Sequence, residues 1–344
     1  MVTIKDIARE SGYSISTVSR VLNHRSDVSP DAKKKIEETV RKFNFVPNNN
    51  AKHLKQNNSK AIGVLVKGTS NMLFASIVEE IQRMIEKTEY TLVVSYIDED
   101  ADEVEQAVLL CRERKPLGLL FLGGNPEHFE QGFEEVDVPC VLVTNRANTT
   151  KFENLSSVAT DDIAGARCAV DALFEAGHKK IGILGGNLEK SHTSRQRFNG
   201  CKKSFEAHSQ EMNADLCYEK SRFSFDSAYR AMGRLVEKYP DLTAVFAMSD
   251  VTAIGAIRAL RDRGYRVPED ISVIGFDNNA LCENCHPRLT TVGQDAAERA
   301  CAAVKAIQNL KEGSCEATMQ ILPVQLIIRD SVREETIYEH ETGK

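Results

Sequence analysis

No apolar run in this 344-residue chain approaches the roughly 18 to 20 residues needed to span a bilayer. The opening "MVTIKDIARE" is amphipathic and charged, without the basic stretch and apolar core of an export signal, so the expected location is cytoplasmic and no membrane partner is expected. Also missing are a G-x-G-x-x-G turn, a P-loop, a G-x-S-x-G elbow and a pair of histidines at metal spacing on a helix. "VLVKGTSNMLF" lacks the glycines of a dinucleotide turn and "LGGN" is too short to count. No nucleophile, base or metal constellation remains, so neither enzymatic activity nor a cofactor is expected. Nine cysteines, an odd number scattered along the chain, fit reduced and mostly buried thiols better than a disulfide framework. The composition, 42% hydrophobic and 27% charged, is ordinary for a globular chain of two or three domains.

One short pattern cuts across these absences. Cys282-Glu-Asn-Cys285-His286 has the C-x-x-C-H spacing of a c-type haem attachment site. Covalent haem attachment accompanies export, and a zinc site here lacks an evident fourth ligand. The favoured reading is a loop with two thiols, one of them a candidate reactive group.

Charge is unevenly shared. The first 60 residues carry twelve Lys and Arg against six acids, leaving 32 bases and 44 acids for the rest. A basic head on an acidic body points to a polyanion partner for the head alone.

Within that head, Thr3 and Asp6 have the spacing of an N-cap and an acid in the first turn, and Ile4, Ile7 and Ala8 share one helical face. Gly12 ends this helix and Ser14 caps a second, "ISTVSRVLN", whose apolar stripe is Val18, Val21 and Leu22. Ser29 and Pro30 open a third helix, with Ile36, Val40 and Phe43 closing a small core. Two short helices joined by a glycine turn form a helix-turn-helix. With its apolar side inward, the second helix presents Ile15, Ser16, Thr17, Ser19 and Arg20. Arg20 suits guanine O6 and N7, Ser16 and Thr17 suit bases or phosphates, and Ile15 suits a thymine methyl. The alternative for these positions is a plain solvated face. The following "PNNNAKHLKQNNSK" reads by composition as a linker with Leu54 as its one large apolar residue.

After Lys60 apolar segments such as "AIGVLV", "TLVVSYI", "LGLLFLG", "VPCVLV", "KKIGILGG", "TAVFAMS" and "ISVIGF" alternate with amphipathic helices such as 74–87 and 250–263. That alternation predicts parallel sheets covered on both faces, in two units. Ligands of such sheets sit beyond the strand carboxyl ends. The polar groups there are Asp161, Arg195, Arg197, Ser249, Asp250 and Asp277, with Phe74 and Phe223 as ring faces. Carboxylates and guanidinium groups that bond neighbouring hydroxyls suit a sugar; capping or solvated roles are the alternative.

"TIKDIARESGYSISTVSRVLN" and "VSPDAKKKIEETVRKFNFVPNNNAKHL" closely resemble the head of the lactose/galactose repressor family of bacterial transcription regulators, and the resemblance extends along the whole chain. It implies an α/β protein with an N-terminal three-helix helix-turn-helix head (1–46), a hinge helix and linker (47–59) and a periplasmic-binding-protein-like effector domain (60–344) of two doubly wound subdomains. The first subdomain would cover about 61–160 plus 290–320, the second about 161–289 plus 321–335. The helix beginning near Ile15 would read the major groove, and the hinge, near Asn48 to Lys55, would push Leu54 between base pairs beside Ala51. Contacts to DNA are also expected from Thr3, Ser14, Asn23, Asn48 and Lys55. In the cleft the resemblance implies ligand contacts from Leu73, Phe74, Asp161, Thr193, Arg197, Phe223, Ser249 and Asp277, and a dimer surface on helix 74–87.

The expected function is thus a homodimeric regulator, most simply a repressor, that binds a near-palindromic double-stranded operator under control of a small effector such as a sugar or sugar derivative. A transporter's solute-binding protein, a sugar- or nucleotide-converting enzyme, and a regulator answering to a nucleobase or a protein corepressor are the alternatives.

Overall fold

The computed structural model describes residues 4–22, 28–43, 60–313 and 316–333. The chain divides into two compact units, Met1–Ser59 and Lys60–Lys344. Among the described residues no helix is long and apolar enough to cross a membrane.

The first unit holds α1 (Ile4–Ser11), α2 (Ile15–Leu22) and α3 (Pro30–Lys42). Local chemistry sets their ends. Gly12 takes φ +75°, where other residues are strained, and its N–H donates to the Ala8 carbonyl at 3.1 Å. Ser14 Oγ accepts from Thr17 N at 3.2 Å, and Ser29 Oγ from Ala32 N at 3.4 Å with Pro30 at the first helical position. Ile7, Val18, Val21 and Ile36 form the buried centre, with Leu22, Val40 and Phe43 packed against it.

The second unit starts with β1 (Ala61–Lys67), α4 (Met72–Ile85), β2 (Thr91–Ile97), α5 (Glu103–Arg114), β3 (Gly118–Leu122), α6 (Pro126–Gly132), β4 (Cys140–Thr144) and β5 (Leu155–Thr160). It continues with α7 (Asp162–Glu175), β6 (Ile181–Gly185), α8 (His192–Ala207), α9 (Ala214–Cys217), β7 (Tyr218–Lys220) and α10 (Phe225–Lys238). Then come β8 (Ala244–Ala247), α11 (Asp250–Asp262), β9 (Ser272–Asp277), α12 (Leu281–Asn284) and β10 (Thr290–Gly293). The last elements are α13 (Ala296–Glu312), β11 (Met319–Leu322) and β12 (Gln325–Ile327).

These strands form two sheets, ordered β11-β5-β4-β3-β1-β2 and β12-β10-β9-β8-β6-β7. All pairings are parallel except β10 with β12. Helices cover both faces of each sheet, as strands with every residue buried require: β3, β4 and β9 expose nothing. The chain passes from the first sheet to the second after Thr160, returns after Gly293 and crosses again after Leu322. The return lies later than the expected boundary near 290, because Thr290–Gly293 pairs with β9 in the second sheet. The final crossing likewise follows β11, which pairs with β5 and keeps 321 and 322 in the first sheet.

The apolar runs mark seven of the twelve strands in the described residues. β5, "LSSVAT", is wholly buried yet polar; Ser156 Oγ accepts from Thr318 N at 3.0 Å, so a hydroxyl sits in the core with its bond made. Helix α4 spans Met72–Ile85 against the expected 74–87 and buries Leu73, Phe74, Ile77, Val78, Ile81 and Ile85. Its outer face carries Glu79, Gln82, Arg83 and Glu86.

Helices α7 and α8 approach so closely that a Cβ on Gly200 would lie 2.4 Å from the Ile163 carbonyl and 2.9 Å from Ala166 Cβ. Gly200 stands one turn after Arg197, so this contact fixes the depth at which α8 holds that arginine. Gly200→Ala should destabilise the second unit by about 1–3 kcal/mol through overpacking, read as a lower denaturation midpoint. An unchanged midpoint would show that the helix pair has slack.

Candidate functional site

In each sheet the strand order reverses beside the first strand of its subdomain, between β1 and β3 and between β6 and β8, which opens a crevice beyond the carboxyl ends. The two crevices face each other across a cleft with an empty volume of about 700 Å³. From the first subdomain Asn71 caps α4, its Oδ1 accepting from Leu73 N at 3.1 Å, and holds Leu73 and Phe74 at the wall. From the second come Thr193 and Arg197 on α8, Phe223 after β7, and Asp277 at the end of β9.

Arg197 is buried and heavily bonded. Its Nε donates to Asp162 Oδ1 at 2.8 Å, Nη1 donates to the Met248 carbonyl, Nη2 lies 3.8 Å from Asp277 Oδ1, and the guanidinium stacks 3.6 Å from the Phe276 ring centre. Asp277 Oδ1 accepts from Gln294 Nε2 at 2.7 Å. Gln294 Oε1 in turn accepts from Thr160 Oγ1 at 2.9 Å, and Arg299 Nη2 donates to Thr160 Oγ1 at 3.0 Å. Thr160 and Gln294 stand at the first and second crossings, so the floor of the cleft is tied to both. Burial pushes the Asp277 carboxyl up to about 7, with Arg197 opposing and Asp250 adding to the rise; burial also lowers Arg299 to about 10.

Two strand ends share an unusual backbone. Thr144 at the end of β4 has φ +87° and Asp277 at the end of β9 has φ +116°. β4 and β9 occupy the same place in their two sheets, and both residues line the cleft. Strain of this kind, about 1–3 kcal/mol per residue, persists only where the surroundings impose it.

Contacts span the cleft on several sides. Thr193 Oγ1 donates to Asn145 Oδ1 at 3.0 Å, Arg195 Nη2 to Glu127 Oε1 at 2.6 Å, and Arg222 to Glu99 at 2.6 Å and Asp98 at 2.8 Å. Lys67 Nζ meets the buried Glu103, which also accepts from Asn125 N and lies 3.0 Å from His128 Nδ1. Among the described residues Asp102, Glu103 and His128 are grouped closely enough for a cation, but the Lys67 ammonium already occupies Glu103.

Of the cleft residues expected from the sequence, Leu73, Phe74, Thr193, Arg197, Phe223 and Asp277 line this cavity. Asp161 and Ser249 do not. Each caps a helix, Asp161 Oδ1 accepting from Ala164 N at 3.0 Å with Oδ2 lying 3.6 Å from Arg146, and Ser249 Oγ accepting from Thr252 N at 3.2 Å beside the Thr252 hydroxyl, so both are occupied outside the cleft. Asp250 lies beneath the cleft, accepting from Thr291 Oγ1 at 2.5 Å and Asn279 N at 2.8 Å. Lys67, Glu99, Asn145, His192 and Gln294 line the cavity without having been singled out. Lys67 ends β1, and Glu99 and Asn145 closely follow β2 and β4, so the strand-end rule applied to every strand finds them.

On α2, Ile15 is 46% exposed, Ser16 and Arg20 are exposed, and Thr17 and Ser19 are half-buried. Ser14 Oγ lies 2.7 Å from Ser16 Oγ and 2.9 Å from Thr17 Oγ1, so the cap also orients the first turn's hydroxyls. Thr3, Asn23, Asn48, Ala51, Leu54 and Lys55 lie outside the described residues.

The C-x-x-C-H segment takes no part in the cleft. Cys282 is fully buried in an apolar cluster, and Cys285 Sγ donates to the Pro287 carbonyl at 3.1 Å. Burial pushes both thiols above their usual range, which corrects the expectation that one is a reactive candidate. Elsewhere Ser204 Oγ donates to Asp171 Oδ1 at 2.5 Å and His208 Nε2 lies 3.2 Å from the same oxygen. Serine and histidine both turn to the carboxylate, which is not the arrangement of an activated nucleophile.

Residues 3–48 match the model of bacterial regulatory proteins, lacI family, and residues 170–332 that of a periplasmic binding protein-like domain. The HTH-type transcriptional regulator MalR of Clostridium butyricum is 36% identical over 96% of this chain and 99% of its own length. Among solved structures, the Lac repressor dimer bound to operator and the anti-inducer ONPF superimposes with a TM-score of 0.73 at 27% identity, covering 96% of this chain and 99% of that one. A complex of the transcriptional regulator CelR with cellobiose gives 0.69 at 25% identity, covering 96% and 100%.

The raised Asp277 carboxyl has a measurable consequence. An acid lifted from 3.8 to about 7 keeps its proton in the folded state where the unfolded chain has lost it, so the stabilisation from staying neutral is complete below about pH 4 and lost as pH rises to 7. Between about pH 5 and 8 the wild type should lose on the order of 2 kcal/mol more stability than Asp277→Asn. Urea midpoints at the two pH values test this, and equal losses would place the carboxyl at its ordinary value.

Proposed function

This chain belongs to the lacI family of bacterial regulatory proteins and is a DNA-binding transcription regulator, and we propose that it is a repressor whose grip on its operator is set by a small polyhydroxylated effector held between its two subdomains. The observation that carries the effector reading is the cleft itself. A buried guanidinium and a buried carboxylate, Arg197 and Asp277, stand at the strand ends with the Phe223 ring beside them, a set that bonds paired hydroxyls and faces the apolar side of a sugar ring. The cellobiose complex of a relative with the same fold supports a sugar. No reaction and no cofactor are proposed.

For DNA, α2 is the reading helix: Arg20 bonds guanine, Ser16 and Thr17 meet bases or phosphates, and Ile15 touches a thymine methyl. A homodimer reading a near-palindromic site follows from the dimeric relative on its operator, in the cytoplasm where that DNA lies. The segment 47–59, outside the described residues, is assigned as the hinge, with Leu54 as a minor-groove wedge. Control is linkage: effector changes DNA affinity only as far as it prefers one arrangement of the subdomains, and DNA changes effector affinity by the same factor.

Two variants test the head. With an operator selected from random duplexes, Arg20→Ala should cost about 1–3 kcal/mol of specific affinity while binding to unrelated DNA changes little; equal loss on both would make Arg20 a phosphate contact. Leu54→Ala should reduce operator bending in a gel-phasing assay, and an unaltered bend would leave the segment a tether. For the body, a sugar that raises the melting temperature of the full chain should lose that effect in Arg197→Ala. Retention of the full shift would move the site out of the cleft.

A further inference from the structure

The cleft does not end at Phe223. A second cavity, with an empty volume of about 640 Å³, adjoins it and shares Lys67, Asn71, Glu99 and Phe223 with the first as a common wall. It runs from the switch point toward the edge strands β2 and β7 as a groove open to solvent, lined by Gly68, Thr69 and Ser70 of the loop after β1 and by Asp98, Arg222 and Ser224.

Two properties of this outer cavity define what fits it. Its formal charges balance, Lys67 and Arg222 against Asp98 and Glu99, and they are already paired: Arg222 Nε with Glu99 at 2.6 Å, Arg222 Nη2 with both Asp98 oxygens at 2.8 and 2.9 Å, and Lys67 with Glu103. An anionic group such as a phosphate finds no uncommitted cation there. The one aromatic or aliphatic side chain in the lining is Phe223, and the other side chains are hydroxyls, one amide and the paired charges. Such a lining suits a neutral ring with many hydroxyls and disfavours an apolar aglycone, whose burial against polar groups would leave them without partners.

We infer that the outer cavity is a second sugar subsite, so that the effector is an uncharged disaccharide lying across Phe223 with one ring over Arg197 and Asp277 and the next among Thr69, Ser70, Asp98 and Glu99. This deepens the sugar reading above and rests on it. Because Arg222 reaches from the second subdomain to Asp98 and Glu99 of the first over this cavity, a ring held there touches both subdomains and adds to the preference for the closed arrangement.

The test titrates the full chain by calorimetry with glucose, galactose and fructose, and with maltose, cellobiose, lactose and sucrose. At least one disaccharide should bind about tenfold or more tightly than any of the monosaccharides. Ser70→Trp and Thr69→Trp, which fill the outer cavity only, should weaken that disaccharide about tenfold while leaving monosaccharide binding within about twofold, and the retained binding shows that the variants are folded. Monosaccharides binding as tightly as every disaccharide, or disaccharide affinity untouched by both tryptophans, overturns the second subsite and leaves the sugar reading standing. Binding of no sugar by a chain that still binds its operator overturns the sugar reading itself and the subsite with it.

Discussion

The centre of the second unit depends on how one cation, Arg197, is held almost wholly buried at the floor of the cleft. A guanidinium that deep needs carboxylates, a carbonyl and a ring face, and it has them in Asp162, Asp277, the Met248 carbonyl and Phe276. Those partners come from three stretches of chain, all separate from the helix that carries Arg197. The pairing therefore positions the start of α7, the end of β8, the end of β9 and the second turn of α8 relative to one another. Through Gln294 and Thr160 the same set reaches two of the crossings that join the two subdomains. The proposed effector contacts, Asp277 and Arg197, thus belong to the same hydrogen-bonded set as the crossing residues Thr160 and Gln294.

The two subdomains solve one problem twice. Each places its reversal of strand order at the cleft, and each ends the corresponding strand, β4 or β9, in a residue with positive φ. A bend of that kind turns the side chain out of the sheet toward the crevice. Helix caps do related work at neighbouring strand ends. Asn71, Asp102, Ser191 and Asp295 satisfy the first amides of their helices. The same chemistry removes Asp161 and Ser249 from the cleft, since one oxygen serves a helix amide or a ligand, and in these two it serves the helix.

Much of the architecture was readable from pattern. The spacing of Val18, Val21, Ile36 and their neighbours, with Gly12, Ser14 and Ser29 at the joints, yields the three helices of the head, and the long apolar runs yield the central strands of both sheets. The strands that escaped were the short edge strands β7, β11 and β12, or inner strands that carry hydroxyl residues in the core: β5, where Ser156 is bonded to Thr318 N, and β10, where Thr290 and Thr291 are bonded to Arg329 N and Asp250. Arg197, Asp277 and Phe223 were found because charged and aromatic residues after apolar runs are conspicuous. Gln294 was not, because an uncharged amide in "TVGQD" gives no signal until the crossing brings it against Asp277.

The sequence by itself determined the class of the molecule: a basic helix-turn-helix head and a body of two parallel α/β sheets. Periodicity, capping and charge are local properties and survive without a fold. Tertiary structure alone decided which polar residues at strand ends turn inward, which are taken by helix caps, that Cys282 of "CENCH" is buried in a core with Cys285 half-buried against it, and that the cleft continues into a second polar groove beyond Phe223. Those outcomes depend on which distant segments meet, and a buried charge or hydroxyl acquires its role from the partner that reaches it across the fold.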